Sequence, residues 1–107
     1  MGEDQARVDG RIQRALGFLR RRLTISAAYV FGSYLRSGGQ EYNDIDLAVF
    51  SPEAEHMSFW DRAEVFRDVK LDCDMDVELH LFPESALQHA RPTNFVGHIL
   101  ATGRRIV

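Results

Sequence analysis

The segment Met75 to Phe82, MDVELHLF, alternates strictly. A strand has a side-chain period of two, so Val77, Leu79 and Leu81 face one way while Asp76, Glu78, His80 and Phe82 face the other. A chain carrying this segment must build a sheet with one apolar face. It must also find partners for the acids on the opposite face, because a central strand of a small sheet has little solvated surface and burying a charge unpaired is costly.

The other elements are readable around that strand. Apolar residues at Val8, Ile12, Ala15, Leu16, Leu19 and Leu23 mark an amphipathic helix over Gln5 to Leu23. Arg20, Arg21 and Arg22 fall in its last turn, where cations complement the helix dipole. Ile25 to Phe31 is β-rich and apolar, a buried strand that Gly32-Ser33 ends. Ser33 to Ser37 can form a short helix, and Gly38-Gly39 a flexible turn. Asp44 to Phe50, DIDLAVF, is a second strand. His56 to Lys70 is helical, with Phe59, Ala63, Phe66 and Val69, and Trp60 beside them, expected to pack into the core.

After Pro83 the chain returns to helix through Ala86 to Ala90, until Arg91-Pro92 breaks the run. Thr93 is the expected cap of a further helix, Asn94 to Ala101, which Gly103 ends. Arg104 to Val107 suits a short final strand. The expected fold is α/β (α+β): one domain spanning 1–107, with a small mixed sheet of about three or four strands flanked by helices.

Composition narrows the function classes. A net charge of −3 gives no field for holding nucleic acid as a stable partner. No apolar run approaches the roughly 20 residues that span a bilayer, so no membrane partner is expected. The polar N-terminus lacks the apolar core of a secretory signal, and the expected location is the cytoplasm. A single cysteine, Cys73, excludes an internal disulfide and agrees with a reducing compartment.

The chemistry concentrates between Tyr29 and Phe50, YVFGSYLRSGGQEYNDIDLAVF. Asp44 and Asp46 lie two apart on a strand and project from the same face. Adjacent carboxylates repel unless a cation lies between them. Oxygen-only donors suit Mg²⁺ or Mn²⁺ rather than Zn²⁺. Gly32 lets backbone approach a ligand closely, Ser33 adds a hydroxyl, and free N–H groups after the turn favour phosphate. A third acid, Asp76 or Glu78, is expected to face Asp44 and Asp46 from the alternating strand.

Taken together, Phe31-Gly32-Ser33, Arg36, Asp44-Ile45-Asp46-Leu47 and the later strand acid resemble the nucleotidyltransferase superfamily typified by DNA polymerase β. More closely, the chain resembles the minimal nucleotidyltransferases that accompany HEPN-domain proteins in toxin–antitoxin pairs. The resemblance implies that Gly32, Ser33 and Arg36 hold the triphosphate and that Asp44 and Asp46 bind Mg²⁺ (or Mn²⁺). Glu78 matches the third metal-binding acid, with Asp76 as the alternative. It also implies an activity: transfer of a nucleoside monophosphate from an NTP, expected to be ATP, to an acceptor hydroxyl, with release of pyrophosphate. The alternative is an antitoxin or binding module that neutralises a HEPN partner by contact. A partner chain or a homodimer is expected to complete the acceptor pocket.

Overall fold

Helix α1 (Glu3–Arg20) buries Val8, Ile12, Ala15, Leu16 and Leu19 along one stripe, as their spacing demands. The computed structural model describes residues 3–32 and 44–107, with side chains from residue 5 onward. α1 ends at Arg20, and Leu23 closes the following turn through its N–H to the Leu19 carbonyl. Two of the arginines there make structural contacts, Arg21 lying 5.8 Å from the Phe18 ring centroid. Arg22 stacks over the Phe18 ring at 4.6 Å and pairs with Asp68 at 2.6 Å.

Four strands follow among the described residues: β1 (Ala27–Phe31), β2 (Ile45–Ser51), β3 (Val77–Pro83) and β4 (Arg104–Arg105). Their order across the sheet is β3-β2-β1-β4. β1 runs antiparallel to both β2 and β4, and β2 runs parallel to β3, so the sheet is mixed and the fold is α+β. The alternating strand β3 is therefore at an edge rather than in the centre as its pattern suggested. Its parallel pairing needs a crossover, which helix α2 (Phe59–Asp72) supplies.

α1 and α2 cover one sheet face. Ala28, Val30, Ile45, Leu47, Val49, Val77 and Leu79 meet α1 and the α2 residues Val65 and Val69 in the main core. The opposite face holds a smaller cluster: Ala27, Phe31, Ala48 and Phe50 pack on Ile99 of helix α3 (Phe95–Thr102), joined by Phe82, Ala86 and Leu87. Strand alternation puts Asp46, Glu78 and His80 on this second, incompletely covered face.

Four local expectations need correction. The stripe of α2 is core only at its C-terminal end: Val69 is buried and Phe66 packs against the core, but Phe59 is 74% and Trp60 76% exposed, their rings in edge contact at 5.1 Å. The stripe does point toward β3, but β3 is an edge strand and no described strand pairs beyond it. Phe59, Ala63 and Phe66 instead line an open groove of about 370 Å³ with Leu79 and Leu81. α2 starts only at Phe59, after a 3₁₀ turn (Pro52–His56), because Ser58 and Asp61 form a reciprocal capping box there.

Beyond Pro83 the expected helix is only a 3₁₀ turn, Glu84–Leu87. Finally, α3 is capped by Asn94, whose side chain accepts the Gly97 N–H at 2.8 Å, rather than by Thr93. The expected helix at Ser33 to Ser37 and the turn at Gly38-Gly39 lie outside the described residues.

Candidate active site

The site starts where β1 ends. Gly32 has φ +85°, a left-handed conformation that side-chain-bearing residues rarely adopt. A Cβ on Gly32 would stand 2.4 Å from Asp46 Oδ2 and 3.2 Å from its Cγ. The glycine bend therefore lies directly against the Asp46 carboxylate. The antiparallel register explains this, since Phe31 pairs with Asp46 and the next residue turns across it.

The parallel register sets Glu78 beside Asp46 from the other side. Paired residues on neighbouring strands are about 4.8 Å apart at the backbone, so both carboxylates rise from adjacent points of one face. Asp44 is exposed and immediately precedes β2. Asp76 lies in the turn before β3. Its carbonyl accepts the Ile45 N–H at 2.9 Å, and its own N–H donates to Asp74 Oδ1 at 3.0 Å. Ser33 and Arg36, expected at the triphosphate, lie outside the described residues.

Each strand carboxylate has a cationic or hydrogen-bonding neighbour that the sequence reading did not assign. His80 Nε2 lies 3.2 Å from Asp46 Oδ1, within reach for a protonated Nε2 to donate. The His80 ring is braced by Phe31 and Phe95, with centroids at 5.0 and 6.0 Å. Lys70 of α2 donates to Glu78 Oε1 at 3.0 Å. The position of His80, two residues after Glu78 on the same face, was a legible hint; Lys70 offered none.

A further ion pair braces the turn before β3. Arg11 of α1 grips Asp74 through two hydrogen bonds, 2.8 and 3.0 Å. The Arg11 guanidinium holds the Asp74 carboxyl below the usual carboxylate range, against the opposing effect of burial. Asp74 in turn raises the pKa of Arg11, with smaller contributions from Asp76 and Asp44. Close to this turn, burial pushes the half-buried Cys73 thiol upward, which makes it a poor nucleophile.

The donor set fits a hard divalent cation in part. Asp44 and Asp46 offer oxygen donors at the strand end, and the missing Cβ of Gly32 leaves the space at Asp46 that a larger residue would fill. Glu78 does not join them as arranged, being engaged by Lys70. Among the described residues, no three His, Cys, Asp or Glu side chains converge closely enough to hold a metal ion.

The mixed sheet with Asp46 against a glycine bend at the end of β1 is an α+β arrangement consistent with the nucleotidyltransferase fold. The chain belongs to the polymerase beta nucleotidyltransferase family, whose model matches residues 13–107. That span takes in every strand and every candidate site residue. Comparisons with curated proteins and with solved structures give no significant match. Among the described residues, no helix is long and apolar enough to cross a membrane.

Proposed function

We propose that the chain is a metal-dependent nucleotidyltransferase that moves a nucleoside monophosphate from an NTP, ATP in the first instance, to an acceptor hydroxyl, releasing pyrophosphate. Asp44 and Asp46 would hold Mg²⁺ or Mn²⁺, with Glu78 as the third acid and Asp76 as its alternative. Gly32, Ser33 and Arg36 would receive the triphosphate. The bound metal would neutralise phosphate charge and lower the pKa of an acceptor hydroxyl.

The observation that carries this reading is the contact between the Gly32 bend and Asp46. It places an open, Cβ-free backbone edge against the acid, the arrangement needed if phosphate and metal are to share one end of the sheet. Calorimetric titration with ATP and Mg²⁺ tests the proposal. Binding should require the metal and vanish in Asp44→Asn/Asp46→Asn. Metal-independent binding, or binding unchanged in that variant, rules it out.

A second reading is favoured by one observation, the exposed Phe59–Trp60 pair beside the α2–β3 groove. Exposed contiguous aromatics mark contact surfaces. In this reading the domain acts as an antitoxin that binds a HEPN-type partner, with or without nucleotide transfer. Co-expression with such a partner separates the two. Contact alone predicts that Asp44→Asn/Asp46→Asn still binds and neutralises, whereas Phe59→Ser/Trp60→Ser does not. A second copy of the chain could take the same face, and sedentation of the isolated domain by velocity ultracentrifugation would reveal it.

A further inference from the structure

Lys70 is the chain's only lysine, and its ammonium sits on the acid proposed to complete the metal site. Nζ donates to Glu78 Oε1 at 3.0 Å and to the Met75 carbonyl at 2.9 Å, and lies 5.3 Å from the Phe66 ring centroid. An ammonium has three donors, and two are committed to oxygens at the start of β3. The Lys70 side chain is only 21% exposed, so the charge is held in place rather than swinging in solvent. Asp46, the neighbour of Glu78 in register, faces His80 instead, with no comparable fixed cation among the described residues.

We propose that Lys70 is a resident cation that competes with divalent metal for Glu78. The first metal ion then binds through Asp44 and Asp46, and Glu78 joins only when the ammonium releases it. Lys70 thereby sets the metal affinity of the site and is a positioning residue for Glu78. This inference rests on the metal-binding reading proposed above.

The test uses Mn²⁺ alone, without nucleotide, titrated into the full chain and followed by electron paramagnetic resonance of free Mn²⁺. Lys70→Met keeps the aliphatic stem and removes the charge. It should bind Mn²⁺ about fivefold more tightly, the scale of a partly exposed ion pair. Lys70→Arg, which keeps a cation on Glu78, should show no gain. The gain must also depend on the carboxylate, so Lys70→Met/Glu78→Gln should fall back to the wild-type affinity.

Unchanged binding in Lys70→Met overturns the inference. So does a gain that survives Glu78→Gln, since that is only the general effect of removing a positive charge. Failure of the underlying reading looks different: Asp44→Asn and Asp46→Asn would then bind Mn²⁺ as the wild type does. Circular dichroism of each variant confirms that the folded state is being compared.

Discussion

Gly32 and Asp46 interlock: the space a Cβ would occupy on the glycine is taken, to within 2.4 Å, by a carboxylate oxygen of the aspartate. Gly32→Ala therefore suffers twice. Its φ of +85° is strained for alanine, and the methyl group meets the carboxylate. The strain alone is expected to cost about 1–2 kcal/mol of stability. Because Asp46 must move to relieve the clash, Mg²⁺-dependent ATP binding should fall even in the fraction that remains folded. Thermal melts together with calorimetry check this. An alanine variant with unaltered stability and unaltered binding would contradict the close approach.

How far this arrangement could be read from the chain depends on the kind of signal. The period of two in β3 and at the start of β2 was enough to put Asp46 and Glu78 on matching faces, because one apolar side fixes which way every other residue points. Periodicity does not say where a strand stands in the sheet. β3 reads like a central strand but lies at the edge. The same gap explains Phe59 and Trp60: helical spacing set the side they face, not whether anything packs over it. Thr93 and Asn94 are both competent caps, and only the position of Gly97 decides for Asn94. The pairing of Lys70 with Glu78 depends on how α2 lies across β3, which no local pattern encodes.

Arg11 and Asp74 pin α1 to the turn that precedes β3, with side chains only 13% and 15% exposed. Asp74→Asn should cost about 1–2 kcal/mol at neutral pH, the scale of a charge-assisted pair that is largely but not wholly shielded. The pH dependence follows from the lowered pKa of Asp74 in the folded chain. Its stabilising contribution is complete above the unfolded value of about 3.9 and is lost as pH falls through the folded one. The stability gap between wild type and variant should therefore be constant from about pH 5 to 8 and close below about pH 4. Urea melts at several pH values measure the gap directly, and one that persists undiminished in strong acid would contradict this account.

Gly17 lies on the exposed side of α1, and a Cβ added there meets nothing within 4 Å. Gly17→Ala should stabilise the domain by about 1 kcal/mol through helix propensity. For a chain of this size that corresponds to a rise in Tm of about 4–8 °C. Metal and nucleotide binding should not change, which makes the variant a useful stabilised background for the destabilising substitutions above. A lowered Tm would show that α1 is not helical at this point.

His80 is the remaining group in direct contact with the acid set, and its proposed role is to aim Asp46. Its Nε2 engages one carboxylate oxygen at 3.2 Å while Phe31 and Phe95 brace the ring. Removing the hydrogen bond without emptying the space, as in His80→Phe, leaves Asp46 free to turn. Loss of such an orienting neighbour typically weakens metal binding or activity by about 10- to 100-fold. His80→Gln offers an amide N–H at about the reach of Nε2 and should recover part of the loss. Stability should change little in His80→Phe, because the replacement ring sits among aromatic neighbours. Mn²⁺ titration of the two variants separates aiming from packing. If both bind Mn²⁺ as the wild type does, the contact between His80 and Asp46 has no part in the metal site.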